Sequence, residues 1–162
     1  MAVDMFLKLE GIDGETQDKD QKGKKSMDVL AWSWGGSQAG TSHMGSGSGT
    51  GKVAVQDISL TKYIDRASPT LFQFLCNGKP IDKGTLTVRK AGEKALEYII
   101  IEMEQIIVTN VSVGGSGGED RLTENVSLNF RKFTYSYQPQ SANGGPEGGA
   151  VKVIWSIAEN SA

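Results

Sequence analysis

Residues 122–137 read LTENVSLNFRKFTYSY, and this run decides the fold. Leu122, Val126, Leu128 and Phe130 occupy even positions, whereas Phe133, Tyr135 and Tyr137 occupy odd ones. Apolar residues alternating with polar ones mark a half-buried strand. A change of parity inside the run means that the side chains exchange faces midway. One added residue does this, because it turns every later side chain to the other face. A bulge at Arg131-Lys132 would bend the strand as at a barrel corner. A strand buried on both faces gives the same pattern, and the sequence leaves both alternatives open.

The flanking segments have the same period. Met5, Leu7 and Leu9 alternate with Phe6, Lys8 and Glu10; Leu86 and Val88 alternate with Thr85, Thr87 and Arg89. Leu30, Trp32 and Trp34 alternate with Val29, Ala31 and Ser33, while Val151, Val153, Trp155 and Ile157 share one parity. The run 98–113 is long and β-branched. One segment differs. Ser68 is a good N-cap, Pro69 suits the first helical position, and Leu71, Phe72, Phe74 and Leu75 form a stripe at helical spacing that Gly78 ends. The pattern predicts one mainly β domain, mostly antiparallel, with one short α-helix packed on it.

A chain of 162 residues buries about two thirds of its unfolded surface and can build a core without staples. One histidine, His43, and one cysteine, Cys76, cannot supply a structural zinc site or an internal disulfide. No cofactor is expected. With a formal charge of −2 there is no basic face for nucleic acid. Lys22, Lys24 and Lys25 sit among Asp18, Asp20 and Asp28 and read as a solvated charged loop. No segment approaches the roughly 18 apolar residues of a membrane span, and the first residues lack the pattern of a cleavable secretion signal.

Catalytic motifs fail on inspection. Gly45-Ser46-Gly47-Ser48-Gly49-Thr50-Gly51-Lys52 resembles a phosphate-binding loop, but Ser46 stands where the first glycine belongs and Val53 where a hydroxyl is needed. It reads as an extended hairpin loop. His43 lies on that loop, a poor place to hold triad geometry. Cys76 reads as a buried or half-buried thiol beside the helical stripe. Glu102 and Glu104 share one strand face, whereas paired glutamates for glycoside chemistry come from elements flanking a groove. Asn110-Val111-Ser112 and Asn125-Val126-Ser127 fall in predicted strands and read as chance glycosylation matches.

Of the 21 glycines, most lie in three clusters, at 35–51, 114–118 and 144–149. The second opens Gly114-Gly115-Ser116-Gly117-Gly118-Glu119-Asp120-Arg121-Leu122-Thr123-Glu124-Asn125-Val126, a glycine turn with a charged entry into a strand. Glu119, Asp120 and Arg121 are placed to pair with one another or with a neighbouring chain.

That stretch resembles the signature of the haemolysin-coregulated protein (Hcp) family, the tube protein of bacterial type VI secretion systems. Asp28-Val29-Leu30-Ala31-Trp32-Ser33-Trp34, Gly51-Lys52-Val53, Gln56-Asp57, Thr61-Lys62-Tyr63-Ile64-Asp65, Val88-Arg89-Lys90-Ala91-Gly92 and Tyr137-Gln138-Pro139-Gln140 carry the resemblance in the same order, as does the N-terminal Met1-Ala2-Val3-Asp4-Met5-Phe6. The chain departs from the family's pattern at 17–26, at 74–83 and in the glycine loop after Asn143.

The resemblance implies one domain over 1–162, a small antiparallel β-barrel of two packed sheets with one short α-helix at its side, that forms hexameric rings. The rings stack into a tube, which a sheath on a baseplate expels behind a spike protein. It also implies export from the bacterial cytoplasm without a signal peptide, small effectors carried in the lumen, and neither catalysis nor membrane insertion. Leu30, Trp32 and Trp34 are then expected in the barrel core. Val29, Ala31 and Ser33 would line the lumen, or else pack under a neighbouring element. Gly47, Ser48 and Gly49 are expected to reach a neighbouring subunit or the next ring, and Glu119, Asp120 and Arg121 to lie at a subunit contact. A hydrolase lacks an acid–base–nucleophile set in this composition. A monomeric ligand-binding barrel remains the alternative, because strand patterns do not report subunit number.

Overall fold

The computed structural model describes residues 3–40, 52–91 and 95–162. Its elements follow in the order β1 (Val3–Leu9), β2 (Met27–Ser33), β3 (Gly36–Ser37), β4 (Ala54–Val55), β5 (Ile58–Tyr63), α1 (Ser68–Asn77), β6 (Ile81–Lys90), β7 (Leu96–Val113), β8 (Thr123–Tyr137) and β9 (Val151–Ser156). Antiparallel pairing runs β5-β2-β1-β6-β7-β8, and β8 pairs back onto β5, so six strands close into a barrel. The two packed layers are halves of one continuous sheet. Closure removes the unpaired edges that an open sheet of these strands would present.

β8 spends one edge on two partners. Its residues 123–128 pair with β5 and close the barrel, while 132–137 pair with β9. Beyond the closure, β7, β8 and β9 therefore continue as a three-stranded wing.

The parity change in β8 is real, but no residue is inserted there. The pairing register between β7 and β8 is unbroken from Ile99 opposite Tyr137 to Val108 opposite Leu128. Instead β7 changes parity with it: Ile101 and Met103 are buried on one side of the step, Ile106 and Val108 on the other. β6 does the same between Ile81 and Gly84. Lys83, Glu104 and Lys132 stand in one cross-strand row at the step, and Lys83 and Lys132 are exposed. Gln105 takes up the turn with φ 53°, an unusual backbone for a side chain larger than glycine. Exposed Asn129, Arg131 and Lys132 rule out a strand buried on both faces.

Inward-facing Leu7, Leu9, Leu86, Ile101, Met103, Ile106 and Leu128 are all fully buried and fill the barrel. At Gly84 an added Cβ would lie 2.7 Å from both Leu9 Cδ2 and Ile106 Cδ1, so a larger residue would have to push both methyls aside.

β2 overturns one expectation. Its register against β5 shifts between Val29 and Ala31, a bulge. Before it the odd residues Met27 and Val29 point inward; after it Trp32 and Trp34 pack on the core. Val29 is thus a core residue and not a companion of Ala31 and Ser33, while Leu30, expected inside, is 40% exposed.

Helix α1 is also corrected in detail. Pro69 sits in its first turn, and Gly78, at φ 65°, ends it by donating its N–H to Phe74 O at 2.9 Å. Leu71 is buried and Phe74 and Leu75 pack on the core, but Phe72 faces solvent. Cys76 is exposed rather than buried. Ser68 is no side-chain cap for the helix; its hydroxyl serves the buried cluster described below.

Candidate functional site

The first surface is the inner face of the wing. Phe133 continues the core stripe, and Trp34 packs on it with ring centroids 4.8 Å apart. Tyr135 and Tyr137 follow on the same face beyond the barrel's end, with Val151 and Val153 of β9 beside them. Trp34 touches the edge of Tyr135, and beyond it the face is open among the described residues: Tyr137 is 44%, Val151 66% and Val153 55% exposed. Gln38 and Val53, at the outer end of β3–β4, and Val55 line an adjoining apolar groove with Phe133, Val153 and Trp155. The outer backbone edge of β9 is paired only at Ser156, which bridges Ser161, among the described residues, and Ile154 on its other face is exposed. Apolar faces of this kind mark interaction sites.

The second surface lies on the outside of the closed half. Ala31, Ser33, Ser59, Thr61, Asn110, Asn125 and Ser127 line a concavity of about 440 Å³. Two cross-strand pairs of their polar groups are bonded to each other. Ser59 and Ser127 hydroxyls lie 3.2 Å apart, and Thr61 Oγ1 donates to Asn125 Oδ1 at 2.7 Å. At its border Asp57 accepts from Thr109 Oγ1 (2.7 Å) and Asn129 Nδ2 (2.9 Å). The face is small, neutral and hydroxyl-rich. Ala31 and Ser33 belong to it, and Val29 does not.

The third feature is the turn before β8. Glu119, Asp120 and Arg121 are all exposed, and no ion pair joins them. Arg121 instead stacks its guanidinium over Tyr63, 3.7 Å from the ring centroid, a cation–π contact. Gly47, Ser48, Gly49 and His43 lie outside the described residues.

Two charged clusters escaped the sequence reading. Arg89 projects from the outer face of β6, almost wholly buried by the loop between β1 and β2. Its Nη1 donates to Asp18 Oδ1 at 3.0 Å, Nη2 reaches Asp18 Oδ2 and, at 3.0 Å, Asp4 Oδ2; the plane lies over Phe6. The Arg89 hydrogen bond holds the Asp18 carboxyl below its ordinary value of 3.8, and the same bond raises Arg89. Asp18 is therefore an anchor, while Lys22, Lys24 and Lys25 around it are solvated as expected.

The other cluster is inside the barrel wall. Lys62 points inward with Ile58 and Leu60 and is fully buried. Its Nζ donates to Glu124 Oε1 at 2.9 Å, Asp65 Oδ1 at 3.0 Å and Tyr63 O at 2.9 Å. Ser68 Oγ donates to Glu124 Oε1 at 3.1 Å and accepts from the Asp65 N–H. The signal was present in the sequence: both charges share the parity of apolar neighbours, Lys62 with Leu60 and Glu124 with Val126.

An apolar face left exposed beside a closed barrel marks an interaction surface. Comparison with known proteins says which assembly it serves. The sequence profile of the family described as type VI secretion system effector, Hcp, matches residues 6–137. The chain belongs to the Hcp family. It is 53% identical over 161 residues to protein hcp1 of Pseudomonas aeruginosa, covering 99% of this chain and 98% of that one. The crystal structure of Hcp1 from Salmonella typhimurium is similar at 38% identity with a TM-score of 0.80, and covers 99% of both chains. A structure described as a type six secretion system protein matches with a TM-score of 0.90 at 29% identity, again over 99% of both. As an Hcp protein, the chain is a structural tube component of a type VI secretion system. No helix among the described residues is long and apolar enough to cross a membrane.

Proposed function

We propose that the chain, acting as one tube domain over residues 1–162, closes into a homohexameric ring. The uncovered face of Tyr135, Tyr137, Val151 and Val153 carries this reading. In a head-to-tail ring each copy covers its neighbour's exposed face, and rotation closes the set. The rings stack into the tube that a sheath and baseplate expel with a spike at its tip, and the protein leaves the bacterial cytoplasm through this route without a signal peptide. Residues 47–49 and the exposed triad Glu119, Asp120 and Arg121 serve ring or stacking contacts.

The neutral face of Ala31, Ser33, Ser59 and Ser127 lines the lumen. Short hydroxyl side chains that already bond one another offer cargo little net charge and few unsatisfied groups, which suits passage and loose holding of small effector proteins. The chain performs no catalysis in this role. The monomeric ligand-binding barrel finds little support, since the interior is filled by its own core side chains.

Sedimentation with negative-stain imaging of the purified chain tests the reading. Rings with the mass of six subunits are expected. A monodisperse monomer at concentrations well above micromolar overturns it.

A further inference from the structure

The hydrophobic pattern of β5 and β8 leaves the closure of the barrel under-determined. In the native register Ile58 faces Leu128, Leu60 faces Val126, Lys62 faces Glu124, and Ser59 faces Ser127. A slip of one residue would put the wrong faces inside. A slip of two preserves every face. Moving β5 so that Ser59 faces Asn129 would place Leu60 opposite Leu128 and Ile58 opposite Phe130, apolar on apolar, with polar Thr61 opposite Ser127. In that alternative only two residues are misplaced: Lys62 would face Val126, and Glu124 would face Ile64.

The two strands are far apart in sequence, and no tight turn links them to fix their alignment. The one pair that distinguishes the registers is also fully desolvated. Lys62 is 0% and Glu124 1% exposed. Slipping would leave a buried ammonium and a buried carboxylate without each other, at a cost of several kcal/mol. Glu124 additionally accepts from Ser68 at the start of α1, so the same contact sets the helix against the closure.

We propose that the buried Lys62–Glu124 pair, with Asp65 and Ser68, is a register lock that selects one alignment of β5 on β8 when the barrel closes, and contributes little to net stability. Buried ion pairs are poor stabilisers against apolar residues of similar size, and their best-attested use is to specify register. The consequence reaches the assembly. A two-residue slip displaces β5 by about 6.8 Å along β8. It would move Ser59 and Thr61 out of line with Ser127 and Asn125 on the proposed lumenal face, producing subunits that differ from their neighbours in a ring.

Disulfide trapping in a Cys76→Ser background tests this. Two cysteine pairs report register: Ser59→Cys with Ser127→Cys for the native alignment, and Ser59→Cys with Asn129→Cys for the slipped one. The lock is removed by combining Lys62→Met, Asp65→Asn and Glu124→Leu. With the lock intact, only the native pair is expected to oxidise during refolding. Without it, the melting midpoint is expected to stay level or rise, and the slipped disulfide to appear in about a tenth of the chains or more, a gap between registers of about 1.4 kcal/mol or less.

A native disulfide alone in the unlocked chain overturns the proposal, as does a slipped disulfide in the locked one. Should the unlocked chain be insoluble, Lys62→Met, Asp65→Asn with Glu124→Gln keeps an acceptor for Ser68 and is read the same way. Failure of both variants to fold, or a melting midpoint lowered markedly in either, also overturns it, because the cluster would then be needed for stability itself.

Discussion

The two halves of the β7–β8 hairpin are one continuous ladder with opposite fates. In the half that runs from Ile106 and Phe130 to the turn, β5 supplies the third strand. The inward face is sealed, and the outward face is a lattice of Ser, Thr and Asn bonded to one another. In the half from Leu96 to Glu104 and from Lys132 to Tyr137, β9 replaces β5, and the inward face runs on past the barrel as bare tyrosine and valine. The same alternating chemistry yields a finished wall in one place and an unfinished one in the other. What differs is only which element stands opposite. The closed half completes its own inner layer, whereas in the proposed ring the wing would receive its second layer from another copy.

The sharpest way to break this contrast is to exchange the damage. Leu128→Ala, in the closed half, empties a fully buried site and is expected to cost about 2–5 kcal/mol in chemical denaturation of the dissociated chain. Val153→Asp, in the wing, is expected to change that midpoint by no more than about 0.5 kcal/mol while abolishing rings in sedimentation. Equal destabilisation by both, or rings that survive Val153→Asp, would erase the distinction.

Next in size is the strap over β1 and β6. Asp18→Asn is expected to cost about 2 kcal/mol at neutral pH, since it removes a charged acceptor from nearly buried Arg89. The sign with pH follows from the depressed carboxyl. Its contribution is present above the ordinary value of 3.8 and is lost as pH falls below that through the lower folded-state value. Melting midpoints followed into acid should fall less steeply in Asp18→Asn than in the parent.

A smaller effect is expected at the step between the halves. Gln105→Gly relieves a positive φ and should stabilise the chain by up to about 1 kcal/mol, read as a raised denaturation midpoint, with ring formation unchanged. The smallest effect on folding belongs to the closed half's outer face. Ser33→Trp should leave unfolding within about 0.5 kcal/mol of the parent and keep the ring, yet reduce co-purification of a small effector. Undiminished effector capture would remove Ser33 from the lumen wall.

Six of the strands, the helix and its glycine stop were legible because period and capping are local; β5, which closes the barrel, was not, and the two-residue strands β3 and β4 are too short to show a period. The parity change at 131 was legible too, but its cause was not. A step shared by three strands depends on pairing partners, and one strand's sequence cannot tell it from an inserted residue. The β2 bulge escaped for the same reason, and with it the placement of Val29 and Leu30. Of the proposed lumenal set, Ala31 and Ser33 were readable from alternation. Their partners Ser59, Thr61, Asn125 and Ser127 come from strands that meet only when the barrel closes. Burial of Lys62 was masked by the ordinary rule that lysines face water, although its parity said otherwise.

The short β3–β4 ribbon has a consequence of another kind. Gly36 faces Val55 and Ser37 faces Ala54, the Gln56 N–H donates to Gly35 O at 2.8 Å, and Trp34 Nε1 donates to Gln56 O at 3.0 Å. The chain thus leaves and re-enters the barrel through a clamp that holds both ends side by side. Lengthening the excursion between them costs only about 0.6 kcal/mol per doubling. The length and sequence of that excursion can therefore be retuned, by evolution or by design, to suit the contacts proposed for residues 47–49 while the barrel behind the clamp stays the same.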